Sequence, residues 1–260
     1  VIAAQRRRAI LRQIRDSGYV EASRLSADLG VDVSTIRRDL DSLARGGLVQ
    51  RTHGGALASG PPTVDLAGEG RRLVHSPAKR AIGRLAAGLV ADGQSVALDA
   101  GSTTHALAVE LAVKKSLTVI TNDLRIAGEL ATRRRARLVV VGGELASRGC
   151  YLVGPWAQEN LAGIHVDWAF LGADGLDAQA GVTSDDPAEL PVKRAMLAAA
   201  RSTAVVADSS KFNRRALTTI ARIDEFDHLL TDEGLAPAAR AAYGPALSCA
   251  AIDEGSAEGS

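Results

Sequence analysis

Six short apolar runs, at 96–98, 117–120, 138–141, 169–171, 204–206 and 228–230, alternate with segments of helical periodicity. The runs are continuously apolar, not alternating, which is the pattern of strands buried on both faces. Helices between such strands predict a mainly parallel sheet covered on both sides. In that architecture the loops leaving the strands share one rim, and ligands bind there. The loops read Asp99-Ala100-Gly101-Ser102-Thr103-Thr104, Thr121-Asn122-Asp123, Gly142-Gly143, Gly172-Ala173-Asp174-Gly175, Asp208-Ser209-Ser210-Lys211 and Thr231-Asp232.

The first loop is the sharpest. Gly101 allows close backbone approach, Ser102, Thr103 and Thr104 bring hydroxyls, and a helix beginning near Thr104 adds N–H donors and a favourable dipole. A phosphate fits that chemistry, although an ordinary capped strand-to-helix turn carries the same residues. Neither GxxxxGK[ST] nor GxGxxG occurs, so this is not a nucleotide loop of either familiar kind. Lys211 is one of only five lysines beside 26 arginines, and its ammonium can complete an anion site. Asp174 suits acceptance of hydrogen bonds from sugar hydroxyls, or a turn. Thr121, Asn122, Gly142, Gly143 and Asp99 complete the expected ligand set. Glu189 and Lys193, four apart, read as a surface pair on a helix, and His105, His165 and His228 as structural.

The first 57 residues differ in character. They carry a net charge of +4, against −3 for the remainder, which suits a polyanion-binding head on a slightly acidic body. Helical patterns over 4–17 and 22–29, and a third running to about Arg45, are separated by Gly18 and by the Gly30-Val31-Asp32 turn, with Asp32 placed to cap the third helix near Thr35. There Ile36, Leu40 and Leu43 form one face, and Ser34, Arg37, Arg38, Asp41 and Arg45 the other. Two extended pieces around Gly54-Gly55 then suggest a β wing. A winged helix-turn-helix places its third helix in the major groove. Ser34, Thr35, Arg37 and Arg38 are therefore the candidates for base or phosphate contact, and Arg51 and His53 on the wing for backbone contact. Short tri-helical units also serve in protein–protein contacts, but the basic outer face favours DNA.

The division expected is 1–57 for the head, 58–78 for a Pro/Gly-rich linker, 79–252 for the body and 253–260 for a small acidic tail. No apolar run approaches the ~20 residues of a membrane-spanning helix, and no charged-then-apolar leader opens the sequence, so the expected compartment is the cytoplasm. Cys150 and Cys249 lie in no metal-ligand spacing and read as reduced, mostly buried thiols. No metal, cofactor or catalytic set is expected.

Leu29-Gly30-Val31, Ser34-Thr35-Ile36-Arg37-Arg38-Asp39-Leu40 and Arg51-Thr52-His53-Gly54-Gly55-Ala56 resemble the DNA-binding signature of the DeoR family of bacterial transcriptional regulators. Asp32 stands where that family usually has serine. The body resembles the family's sensor domain through the loops above, Gly154-Pro155, Gly181-Val182-Thr183 and Asp208-Ser209-Ser210-Lys211-Phe212, with two departures, Pro191 and Asn213. The resemblance implies an α/β protein with an N-terminal winged helix-turn-helix and a larger, mainly parallel sensor similar in fold to ribose-5-phosphate isomerase. It implies a DNA-binding regulator that represses a carbohydrate operon and leaves its operator when a phosphorylated sugar or related metabolite binds.

Two other readings stand beside it. One is an isomerase-like enzyme with an appended head, for which Asp174 and Glu189 would have to supply acid and base; the other is a constitutive DNA binder with a structural body. The expected partners are double-stranded operator DNA, a phosphorylated sugar and a second copy of the chain, as homodimer or homotetramer, since operator binding needs two heads.

Overall fold

Ile10 and Ile14 stand one helical turn apart and are both buried, so the described residues between 6 and 14 form a helix, α1, with one face inward. The computed structural model describes residues 6–7, 9–11, 13–14, 18–45, 49–52, 54–58, 76–133, 135–147 and 149–252. They fall into two compact units, Val1–Leu73 and Val74–Ser260. Most of the expected linker and the whole expected tail lie outside the described residues.

In the first unit α1 is followed by β1 (Tyr19–Glu21), α2 (Ala22–Leu29), α3 (Val33–Arg45), β2 (Val49–Arg51) and β3 (Gly55–Ala58). The wing is a three-stranded antiparallel sheet in the order β1-β3-β2, with Tyr19 opposite Leu57 and Val49 opposite Ala58. Strand β1 was not expected. Only Val20 of its three residues turns inward, too short a pattern to register as alternation. Ile10, Ile14, Leu25, Ile36, Leu40 and Leu43 form the core with Val20, Val49 and Ala56.

Behind α3 lies a buried carboxylate. Asp39 accepts from Arg6 Nε at 2.5 Å and Arg7 Nε at 2.8 Å, so two arginines of α1 clamp α3 from its inner side. Burial alone would raise the Asp39 carboxyl, but the two guanidinium groups outweigh it and hold it below the ordinary aspartate value.

The second unit opens with α4 (Ser76–Leu89), and the expected linker end needs correcting. Residues 76–78 belong to this helix and Ala58 to the wing; Pro77 falls in the first helical turn, where its missing N–H costs nothing. The following elements are β4 (Ser95–Leu98), α5 (Ser102–Leu111), β5 (Thr118–Thr121), α6 (Leu124–Arg133), β6 (Arg137–Val140), the hairpin β7 (Glu144–Leu145) and β8 (Leu152–Val153), and α7 (Pro155–Leu161). Then come β9 (Val166–Leu171), β10 (Gly175–Asp177), β11 (Gly181–Ser184), α8 (Leu190–Ala199), β12 (Ala200–Val206), β13 (Thr218–Ala221), β14 (His228–Asp232), α9 (Pro237–Arg240) and β15 (Leu247–Ala250).

Seven strands form one sheet in the order β15-β14-β12-β9-β4-β5-β6, and every neighbouring pair is parallel. Alternate residues of β4 serve opposite faces: Val96 and Leu98 join the core under α4, α5 and α6, and Ala97 joins the one under α7 and α8. Both faces are therefore covered, as the continuous apolar runs require. A second, antiparallel sheet, β10-β11-β13, packs into the latter core. Among the described residues no helix is long and apolar enough to cross a membrane. Cys150 and Cys249 are half-buried thiols, more exposed than expected.

Replacing Asp39 by asparagine should destabilise the head by about 1.5–3 kcal/mol, the usual worth of hydrogen bonds to charged groups, read by urea unfolding. The folded pKa of Asp39 is depressed, so its contribution is present above the ordinary aspartate value and lost as pH falls through the lower folded one. Wild-type protein should accordingly lose head stability below about pH 4 more steeply than the variant.

Candidate functional site

Strand order fixes where a ligand can enter. From β4 the chain moves outward through β5 to β6, then returns through β9 to the other flank of β4 and moves outward again through β12, β14 and β15. The reversal lies between β4 and β9, so the crevice of this sheet opens where Asp99 to Thr104 meets Gly172 to Asp174.

A buried ionic network seals the base of that crevice. Gly172 N donates to Asp99 Oδ2 at 3.1 Å, bridging the two strand exits. From α8, Lys193 Nζ donates to the same carboxylate oxygen, to Gly172 O at 3.2 Å, and pairs with Glu189 Oε2 at 3.2 Å. Burial pushes the Asp99 carboxyl up, to about 6, against the pull of the Lys193 ammonium. Burial likewise favours the neutral form of Lys193, but Asp99 and Glu189 outweigh it and hold its pKa above that of an ordinary lysine. Both groups are charged at neutral pH.

Above this base α5 begins directly after Gly101. His105 N donates to Gly101 O at 3.0 Å, and the fully buried Thr104 hydroxyl donates to the same carbonyl at 3.0 Å. Thr104 is therefore engaged within the turn, and Ser102 and Thr103 bring the remaining hydroxyls of the loop. On the β9 side Asp174 Oδ2 accepts from Asp185 N at 3.0 Å and from Ser184 Oγ at 3.4 Å, and the same hydroxyl lies 3.2 Å from Glu189 Oε2.

The other expected residues spread along the rim. Thr121 Oγ1 accepts from Asp123 N at 3.1 Å. Asn122 is buried, with Nδ2 donating to Leu152 O at 2.9 Å and Oδ1 finding no partner among the described residues. Gly143, at φ 155°, lies where a Cβ would come 2.6 Å from Val153 O, so it permits the chain to pass β8 and its role is packing. Lys211 is half-buried in the turn after β12, beside the Lys79–Asp208 ion pair at 3.3 Å. Asp208, which burial alone would raise, is held below its ordinary value by the Ser210 hydroxyl and by Lys79 and Lys211. Strand spacing puts the β12 exit about 10 Å from the β4 exit and the β6 exit about 19 Å from the β12 exit. The β6 exit also lies about 10 Å from the β4 exit, on the opposite side from β12, so a small ligand at β4 can reach toward Lys211 or toward Gly142 and Gly143 but cannot span both.

In the head, Ser34, Arg37 and Arg38 are exposed and Thr35 is half-buried, all on the side of α3 opposite Ile36 and Leu40. Asp32 caps the helix by accepting from Ser34 N at 2.8 Å. Arg51 is braced within the unit, donating to Asp41 at 2.8 Å and to Gly55 O at 2.5 Å. His53 lies outside the described residues.

Two family models match this chain: the DeoR-like helix-turn-helix domain over residues 6–60 and the DeoR C terminal sensor domain over residues 74–233. The chain belongs to the DeoR family. Similar proteins include the transcriptional repressor AccR of Agrobacterium fabrum, 34% identical over 88% of this chain and 89% of that one. The glycerol-3-phosphate regulon repressor of Escherichia coli K12 is 32% identical over 88% and 90%. The regulator GlpR of Haloferax volcanii is 35% identical over 89% and 91%. Among solved structures, ribose 5-phosphate isomerase A from Neisseria gonorrhoeae aligns with 56% of this chain and 55% of its own at 17% identity and a TM-score of 0.40, too slight a likeness to carry an argument.

For a DeoR regulator the two sequence departures have local explanations. Pro191 falls in the first turn of α8, directly after the 3-10 turn Pro187–Glu189, so it starts the helix that carries Lys193 without interrupting it. Asn213 has φ 56°, a left-handed conformation that asparagine tolerates nearly as well as glycine. The expectation of a surface pair at Glu189 and Lys193 is overturned, because Lys193 is 2% exposed and its main partner is Asp99. Glu189 is tied to Lys193 and Ser184, which removes it as the free base that an isomerase would need. Lysine scarcity was the available signal: two of the five lysines, Lys79 and Lys193, are buried and paired with carboxylates.

Lys193→Met should cost about 3–5 kcal/mol in urea unfolding, because it strips the buried Asp99 and the Gly172 carbonyl of the cation that offsets their burial. Adding Asp99→Asn to that variant should recover part of the loss.

Proposed function

We propose that this chain represses an operon of carbohydrate metabolism and is released from its operator by a phosphorylated sugar or related metabolite bound at the β4/β9 crevice. The observation that carries the reading is the pairing, in one DeoR-family chain, of an exposed basic helix face with a polar rim at the sheet's switch point. The names of the related repressors agree with it. Gly101, Ser102 and Thr103 at the head of α5 receive the phosphate, with Lys211 reaching it from the β12 exit. Asp174 and the unpartnered Asn122 Oδ1 accept hydrogen bonds from the sugar hydroxyls. Thr121 and Thr104 hold their loops in shape without touching the ligand, and Asp99 acts through the buried network.

On DNA, Arg37 and Arg38 with Ser34 and Thr35 face the major groove, and His53 contacts the backbone from the wing. Register on a two-fold operator needs two heads, so the working form is a homodimer or a homotetramer in the cytoplasm. The domain bounds of 1–57 and 79–252 serve this division of labour, with the α4 correction above.

Arg37→Ala and Arg38→Ala should each weaken binding to the sequence that the protein selects from a random DNA pool. A base-reading arginine should cost about 1–3 kcal/mol on that sequence and little on scrambled DNA; titrations at two salt concentrations separate this from a phosphate contact, which weakens both. Unchanged affinity in both variants would refute the assignment of α3.

Lys211→Ala should remain on the operator when a sugar phosphate that releases wild type is added. Binding of that effector and of operator should oppose each other by one reciprocal factor, equivalent to about 1–3 kcal/mol. Calorimetry with and without operator measures it, and equal effector affinity in both conditions would refute the coupling.

A further inference from the structure

Tyr151, which neither the loop chemistry nor the sequence pattern singled out, joins the two flanks of the crevice. Its backbone belongs to the β5 side, bridged to Asp123 just after β5. Its ring is buried against Ala100, the residue between Asp99 and Gly101, together with Ala146 and Val153. Its hydroxyl donates at 2.8 Å to Oδ2 of Asp186, which belongs to the other flank, in the turn that leads from β11 into α8.

Two details show that the ring is built into this position. A Cβ on Gly149 would come 2.1 Å from the Tyr151 ring, so that residue must be glycine for the ring to lie there. Asp186 divides its two oxygens, Oδ1 accepting from Ala188 N at 3.0 Å and Oδ2 from the phenol. The phenol stays protonated, since burial first, then the charge of Glu189 and a hydrogen bond with that carboxylate, and then Asp186 push its ionisation well above the ordinary tyrosine value.

We propose that the Tyr151–Asp186 hydrogen bond is a clasp across the switch-point crevice, and that Tyr151 is the positioning residue governing how readily a phosphorylated sugar enters and leaves. The inference rests on the effector reading above and adds a residue to it. A sugar reaching the base of the crevice passes between flanks that this bond holds together, so the clasp opens for entry and again for exit. A group that merely held bound ligand would slow exit alone; a clasp slows both.

The test uses full-length Tyr151→Phe, which keeps the ring and deletes the bond. Without ligand, hydrogen exchange at the Ala146 and Leu152 amides, which donate to Tyr151 O and Asn122 O, should quicken about ten-fold, in line with the loss of one hydrogen bond to a charged group. Amides of β4 should not change. Asp186→Ala, which removes the acceptor, should quicken the same amides, and its effect should not add to that of Tyr151→Phe. Unchanged exchange, or equal acceleration in β4, overturns the clasp.

With glycerol 3-phosphate and fructose 6-phosphate as probes, followed by tryptophan fluorescence, association and dissociation rates should rise together in Tyr151→Phe. A rise in dissociation alone overturns the clasp. If neither probe binds wild type, the effector reading fails for these sugars, while the exchange measurement still decides the clasp.

Discussion

The sensor is organised around one buried cation. Lys193 reaches from α8 to the point where strand order reverses and joins Asp99 after β4, the Gly172 carbonyl after β9 and Glu189 at its own helix start. Each of those groups would be costly to bury alone, and together they satisfy one another. The network leaves the crevice with a rigid polar floor, so the loop from Gly101 to Thr103 and the carboxylate of Asp174 keep fixed positions on either side.

The head uses the same device on a smaller scale. Asp39 is buried in the middle of α3, and the two α1 arginines that neutralise it stand on the inner side. Arg37 and Arg38, its sequence neighbours, are exposed on the outer side, so one run of charged residues divides between holding the helix and facing outward. The wing is braced similarly by Arg51, whose partners Asp41 and Gly55 tie α3 to β2 and β3.

The positions of the six central strands, the three head helices and the wing were legible because each rests on local periodicity: apolar runs for strands buried on both faces, and a helical stripe with a glycine or a capping residue at its ends. The small antiparallel sheet, β1, the β7–β8 hairpin and β15 were not legible, because two to four residues paired by tertiary contact leave no period to detect. Among the expected site residues, Asp99, Ser102, Thr103 and Asp174 are legible by residue type at strand exits, whereas the close passage of Gly143 beside β8 is visible only in the fold.

Sequence by itself determined that this chain carries a DNA-binding head and a parallel α/β body with a polar rim, since periodicity, capping and charge distribution are properties of neighbouring residues. Only the tertiary structure decided which rim residues meet. Glu189 and Lys193 read as a surface pair because four residues separate them on a helix, yet the fold brings Asp99, 94 residues away, onto Lys193 and takes the lysine out of water. Tyr151 and Asp186 meet by the same long-range closure. Spacing along the chain cannot encode such contacts, because they depend on the order in which the strands are laid into the sheet.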